Sequence, residues 1–175
     1  LKPGILKPVF GENAVYVDTN EIFPDLVNFY GLNNNWRKIV KEKLYDIIGD
    51  ESSYSFAGWS AGAILLLSVL DSFSPSQINL LSATLSFCRT DTFRYGMQKK
   101  TVTGMRKNLE HNADKTLNEF YINCGLDSPD HFRSDIPPSE LDKGLLFLES
   151  TNLAPCPSEI KCPCKLYHGK KDRII

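Results

Sequence analysis

The stretch Ser53-Tyr54-Ser55-Phe56-Ala57-Gly58-Trp59-Ser60-Ala61-Gly62-Ala63-Ile64-Leu65-Leu66-Leu67-Ser68-Val69-Leu70 reads as three pieces in immediate succession. Ser53–Ala57 alternates polar with aromatic or apolar residues, the pattern of a short strand. Ala63–Leu70 is apolar all the way round, so a helix there must be buried on every side. The five residues between leave no room for a loop, and the strand is expected to turn directly into the helix. Ser52–Leu70 is also 19 residues without a charge, which raises a membrane span as the competing reading. Five serines, and dense apolarity only over Ala61–Leu70, fall short of the roughly 20 apolar residues a span requires.

Outward from this stretch the same alternation of elements continues. Before it, Ile39, Val40, Leu44, Ile47 and Ile48 fall on one helical face of Trp36–Ile48, with Asn35 as candidate cap and Gly49 just past the end. Earlier still, the apolar run Ala14–Val17 ending at Asp18 predicts a buried strand, and Leu1–Asn13 a loop with at most a short helix. After it, Ile78–Phe87 predicts a strand and Cys164–His168 another. Strands and helices in alternation with short connections argue for an α/β fold with a mostly parallel sheet. Met97–Cys124 and Glu140–Ser150 instead read as amphipathic helices with no strand between them. The expected organisation is a core over residues 1–88, a helical lid insertion over 89–150, and a return to the core over 151–175.

Composition narrows the function classes. Of the 175 residues, 42% are hydrophobic and 23% charged, as in an ordinary globular domain and unlike a disordered chain. Twenty basic against twenty-one acidic residues leave no global field for nucleic acid. Five cysteines, an odd number, and no charged leader before an apolar segment point to reduced thiols in a cytoplasmic protein.

Gly58-x-Ser60-x-Gly62 between strand and helix is the pattern of a nucleophile elbow. A serine on so sharp a turn has strained backbone angles, and small neighbours two residues away relieve the crowding. Its hydroxyl then projects above the sheet edge, with the Ala61 N–H and the helix dipole beside any oxyanion that develops. A serine needs a base oriented by an acid. Asp172, in the polar turn after the last predicted strand, lies on the same edge of a parallel sheet as Ser60 and is the candidate acid. The competing readings are a structural glycine turn and a solvated aspartate.

The pair Gly58-Trp59-Ser60-Ala61-Gly62 and His168-Gly169-x-x-Asp172 resembles the α/β-hydrolase superfamily. Within it the chain most resembles the pimeloyl-[acyl-carrier protein] methyl ester esterases of biotin synthesis, where a tryptophan also precedes the nucleophile. The likeness extends weakly through a helical lid from Val102 to Phe120 and from Gly144 to Asn152. It implies a serine carboxylesterase without a cofactor, with Ser60 as nucleophile, Asp172 as acid, Ala61 in the oxyanion hole, and Trp59 and Phe120 against the substrate. It also implies a catalytic histidine a few tens of residues after Asp172 and an N-terminal His-Gly oxyanion loop, so the chain is expected to be partial at both ends. His168 then takes a structural position, and His111 and His131 fall in the lid. Thioesterase, acyltransferase and carbon–carbon hydrolase activities use the same triad and stay open, as does a non-catalytic binding protein on this scaffold.

Three lesser signals complete the reading. The lid carries Lys99, Lys100, Arg106, Lys107 and Lys115, a basic surface that the resemblance offers to an acyl-carrier protein and that is otherwise a solvated face. Phe93, Tyr95, Phe120 and Tyr121 are candidates for an acyl channel or for ordinary core. Cys156, Cys162 and Cys164 with His168 lack the Cys-x₂₋₄-Cys spacing of structural zinc sites, and buried reduced thiols with no metal are expected.

Overall fold

A computed structural model describes residues 6–28, 31–125, 136–155 and 159–174. Its centre is a three-stranded parallel sheet, β3 (Ser55–Trp59), β4 (Gln77–Leu81) and β5 (Cys164–Tyr167), with β4 in the middle. The register sets Trp59 beside Leu81 and Leu81 beside Tyr167, so the three strands end together. Two more backbone bonds extend the ladder past those ends, from Ser60 N–H to Leu81 O (2.9 Å) and from Ser82 N–H to Tyr167 O (2.8 Å). Whatever follows each strand therefore emerges on one edge of the sheet.

Helices surround this sheet. α1 (Lys7–Phe10) and α2 (Phe23–Leu26) are single turns, and a two-stranded antiparallel ribbon, β1 (Val27–Asn28) with β2 (Gly31–Leu32), follows α2. α3 (Trp36–Ile48) and the elbow helix α4 (Ala61–Val69) come next. α5 (Lys99–His111), α6 (Ala113–Asn123) and α7 (Pro138–Ser150) fall between β4 and β5. As the sequence requires, α4 is buried from Ala63 to Val69 without a break. No helix among the described residues is long and apolar enough to cross a membrane.

The core closes around Phe147 of α7, whose side chain is wholly inaccessible. Its ring lies 5.2 Å from that of Phe23 and meets Trp36 edge-on at 5.4 Å. α7 comes this close because Gly144 faces Phe23: a methyl group there would stand 3.0 Å from the ring. A glycine inside a helix costs about 1 kcal/mol relative to alanine, and here the close helix–ring contact accounts for it.

Several expectations change. Ala14–Val17 begins with a bend, pairs with no described strand, and leaves Val15 71% exposed. Local bonds hold the segment instead: the Tyr16 hydroxyl donates to Gly11 O (2.6 Å), and the next turn begins at Asp18. The predicted long lid helix breaks at Asn112, whose side chain accepts the Lys115 N–H (3.0 Å) and caps α6, a local bond that competes with helix continuation. Asn35 makes no capping bond. Asn33 does that work, its Oδ1 accepting the Asn35 N–H and its carbonyl the Trp36 N–H. The strand expected to reach Phe87 stops at Leu81, because Ser82 takes a positive φ of 44° and turns the chain away. Ile47 points to solvent, since α3 buries only Trp36 and Val40 fully. Cys164 is exposed and Cys162 half-buried, contrary to buried thiols, because β5 is an open edge strand whose four residues all reach solvent. Cys156 and His131 lie outside the described residues.

Arg106 is not the free surface cation that the sequence suggests. Its guanidinium grips Asp142 through two parallel bonds (Nε–Oδ1 2.7 Å, Nη2–Oδ2 3.0 Å) and reaches Glu149 through Nη1 (2.9 Å), tying α5 to α7. Thr103 donates to the other Glu149 oxygen at 2.6 Å. Burial alone would raise the Glu149 pKa. The bonds from Thr103 and Arg106 outweigh it and hold the carboxyl below its ordinary value. Asp142 and then Glu149 likewise hold the Arg106 proton more tightly, against burial.

With Arg106 26% exposed, Arg106→Leu is expected to cost about 1–2 kcal/mol, between an open pair and a buried one. Glu149 has a depressed folded pKa, so its share of that stability is complete above the ordinary carboxylate range and is lost as pH falls through the depressed value. Urea unfolding at pH 7 and again near pH 3.5 checks this. The difference between wild type and Arg106→Leu is expected to shrink in acid.

Candidate functional site

The C-terminal ends of β3, β4 and β5 deliver Ser60, Ser82 and the His168–Asp172 turn to one edge of the sheet. Ser60 has φ 52° and ψ −116°, the strained elbow that the motif predicts. The strain is held from both sides: the Ser60 N–H donates to Leu81 O, and the Ser60 carbonyl accepts from Ala63 (3.0 Å) and Ile64 (3.3 Å). Its hydroxyl bonds to no described residue. Ala61 is the first residue of α4, and its N–H, like any at that position, has no partner within the helix. No described residue takes it from outside.

The two elbow glycines are not equivalent. A methyl group on Gly58 would lie 2.7 Å from the Ala63 Cα and 3.0 Å from the Ala63 nitrogen, an overlap only backbone movement can relieve. One on Gly62 would meet the Thr19 methyl at 3.6 Å, an ordinary contact. Steric need explains the first glycine and leaves the second unexplained.

Asp172 is fixed by its own turn. Its N–H donates to Gly169 O (3.1 Å), and its Oδ1 accepts the Ile174 N–H (2.9 Å). Oδ2 faces the His168 Nε2 at 3.8 Å, with the carboxylate 11% and the imidazole 45% exposed.

Ser60, Ala61, Trp59, Phe120 and Asp172, the five residues that the sequence singles out, line a single cavity of about 290 Å³ between the sheet edge and α5–α7. Its walls are mostly apolar, with Met105, Leu109, Leu117, Leu145 and Leu148 among them. Asp172 is the one charged residue in the lining among the described residues. Tyr121 also lines it, whereas Phe93 and Tyr95 meet edge-on at 5.6 Å and do not line it. Neither described histidine lines it: His111 is exposed at the end of α5, and His168 stands behind the carboxylate. Cys124 is in the wall, and burial followed by the neighbouring Asp172 pushes its thiol up to about 11, so it is protonated and a poor nucleophile at neutral pH. No three His, Cys, Asp or Glu side chains gather into a metal site among the described residues.

Sequence reasoning missed Thr19, Asn20, Ser82 and Thr116 in this lining. Ser82 was within reach, since it stands where the apolar run of β4 ends, level with Ser60. Its positive φ makes it the second strained serine at the site. Thr19 and Asn20 belong to a turn that Asp18 holds by accepting both the Asn20 N–H (2.9 Å) and its side-chain amide (2.8 Å).

The chain has the α/β-hydrolase fold. It superposes on an esterase from Exiguobacterium antarcticum with a TM-score of 0.68 and 18% identity, covering 79% of this chain and 57% of that one. In sequence it is 27% identical over 149 residues to the pimeloyl-[acyl-carrier protein] methyl ester esterase of Nitrosomonas europaea. That match covers 76% of this chain and 59% of the relative, so the chain spans under two thirds of either protein's length. No protein-family model matches it.

Gly58→Ala is expected to destabilise the protein by about 2–3 kcal/mol through forced displacement of α4, whereas Gly62→Ala stays within about 0.5 kcal/mol. Thermal unfolding of the two variants beside wild type checks the asymmetry.

Proposed function

We propose that the protein is a serine carboxylesterase that hydrolyses the ester of an apolar acyl chain, with a methyl ester of an acyl-carrier-protein-bound pimeloyl chain as the specific substrate. The observation that carries the reading is the strained Ser60, with an unclaimed hydroxyl, in one mainly apolar cavity with Asp172. The relative's name supplies the substrate, and the cavity suits it in one respect: no cation lines it among the described residues, which favours a neutral ester end over a free carboxylate.

In this mechanism the Ser60 Oγ attacks the ester carbonyl and passes its proton to a histidine held between Ser60 and Asp172. Asp172 orients that imidazole and stabilises its charged form. The Ala61 N–H, at the positive end of α4, bonds to the oxyanion, and a second donor completes the hole. Collapse of the tetrahedral intermediate expels the alcohol, which takes the proton back from the histidine. Water then repeats the sequence on the acyl-enzyme. Trp59 and Phe120 pack against the acyl chain. No metal or cofactor enters.

The acyl-carrier protein, a strongly acidic partner in this reading, docks on Lys99, Lys100, Lys107 and Lys115. All four are exposed; among the described residues Lys115 pairs with Glu119 at 3.9 Å, and Lys99 lies near enough to Glu149 to help hold its carboxyl ionised. Arg106 takes no part because Asp142 and Glu149 occupy it. One observation favours a second reading, a non-catalytic binding protein on this scaffold: neither described histidine lines the cavity.

Ester hydrolysis by the full gene product decides between them. Ser60→Ala is expected to lower kcat by roughly a thousandfold or more with intact folding. Turnover of the carrier-bound ester is expected to fall steeply with added salt, while that of a free methyl ester barely changes. Hydrolysis unaffected by Ser60→Ala would remove the mechanism, and faster turnover of thioesters than of oxygen esters would reassign the substrate.

A further inference from the structure

An oxyanion forming at Ser60 is held by donors placed in advance, and the Ala61 N–H supplies one of them. Apart from Ser60 itself, the small polar side chains described in the cavity wall are those of Thr19, Asn20, Ser82, Thr116 and Cys124. Asn20 commits its amide to Asp18 Oδ1 (2.8 Å), and Thr116 gives its hydroxyl to Asn112 O (2.8 Å). The thiol of Cys124 is a weak donor by nature. The hydroxyls of Thr19 and Ser82 are the two that bond to no described residue.

Position separates these two. Ser82 follows β4, the strand between β3 and β5, so it stands on the side of Ser60 where the acid and the base are placed. A donor on that side would bond to the base or to the Ser60 Oγ, in competition with the proton transfer. Thr19 lies instead against the first turn of α4. A methyl group on Gly62 would meet the Thr19 methyl at 3.6 Å, and among the described residues no other side chain comes within 4 Å of that point. The Thr19 hydroxyl shares its Cβ with this methyl, so it too is set beside the turn that begins with the Ala61 N–H.

Thr19 is also held still. It opens a single 3₁₀ turn, Thr19–Glu21, in which Asp18 O accepts the Glu21 N–H (3.1 Å) and Thr19 O accepts the Ile22 N–H (3.0 Å). The chain then runs straight into the core through Ile22 and Phe23, both buried, with the Phe23 ring against Phe147. Branching at Cβ leaves a threonine few rotamers to choose from. A donor fixed in this way reorganises little when charge appears, and the apolar walls around it strengthen its bond to an anion.

We propose that the Thr19 hydroxyl is the second donor of the oxyanion hole. The inference rests on the esterase reading and deepens it by naming a further catalytic residue. In the acylation step the Ser60 Oγ bonds to the carbonyl carbon, the C=O π pair moves to oxygen, and the Ser60 proton passes to the histidine. Thr19 donates to the new oxyanion and keeps its own proton. The resemblance to the hydrolases implies an N-terminal His-Gly loop for this role, whereas Thr19 fills it with a side chain from the turn after Asp18.

Steady-state hydrolysis of a methyl ester by the full gene product tests the assignment in wild type, Thr19→Val and Thr19→Ser. Thr19→Val keeps the branched shape and deletes only the donor. It is expected to lower kcat about a hundredfold with KM little changed, and Thr19→Ser to recover most of the loss. Binding of a trifluoromethyl ketone, whose adduct with Ser60 carries an oxyanion, is expected to weaken by a similar factor in Thr19→Val. Thermal unfolding of both variants is expected to match wild type, since the hydroxyl holds no described part of the fold. An unchanged kcat in Thr19→Val would overturn the proposal and return the role to a backbone N–H. So would a loss confined to KM, because Thr19 would then only pack against the acyl chain, or a failure of Thr19→Ser to restore turnover. The two readings fail separately: wild type that turns over no ester sinks the esterase and this assignment with it, while active wild type with equally active Thr19→Val sinks Thr19 alone.

Discussion

The backbone of α4 passes Gly58 at a distance that admits no side chain, and the position of everything functional follows from that approach. A methyl group at Gly58 would overlap the Ala63 Cα, so β3 and α4 can be this close only with a hydrogen there. The closeness forces the turn between them into the single residue Ser60 and drives it to a positive φ. A non-glycine residue held there costs of order 1–3 kcal/mol, which the Leu81 bond and the buried mass of α4 offset. The strain aims the hydroxyl into the cavity and leaves the Ala61 N–H without a partner beside it. Structure and proposed chemistry thus rest on one van der Waals contact.

The elbow and the three sheet strands were legible because short-range chemistry decides them. An uninterrupted apolar run can only be a buried helix, a Gly-x-Ser-x-Gly turn can only be tight, and parallel strands bring their C-terminal turns to one edge. Ser60 and Asp172, 112 residues apart, could be paired on that basis alone. What was not legible depends on partners elsewhere in the chain. Ala14–Val17 has the composition of a strand but joins no described sheet. Lys115 and Arg106 look alike as lid cations, yet Asp142 and Glu149, on a helix more than thirty residues later, claim Arg106 and leave Lys115 in solvent. Asn112 lies between these extremes: its capping bond is local, but helical periodicity on either side masked it. Ser82 was missed because its strand was drawn six residues too long.

Charge is partitioned around Asp172 in a way that composition conceals. A net charge of −1 suggests an electrostatically neutral protein. Among the described residues, the apolar cavity holds one carboxylate, α5 and α6 present lysines, and Lys170, Lys171 and Arg173 flank Asp172 on its own turn. In the proposed reading an apolar acyl chain meets the cavity and an anionic carrier meets the lysines of α5 and α6. The Arg106 network fixes α5 against α7, and so holds the roof of the cavity over Ser60.

The central claim is that Ser60 is an activated nucleophile. Incubating the full gene product with a fluorophosphonate, then locating the modified peptide by mass spectrometry, tests it most directly. The account expects one equivalent of label per chain, on Ser60, with labelling lost in Asp172→Asn. An unlabelled Ser60 in a sample shown to be folded would contradict it, and the scaffold would then be one that binds and does not catalyse.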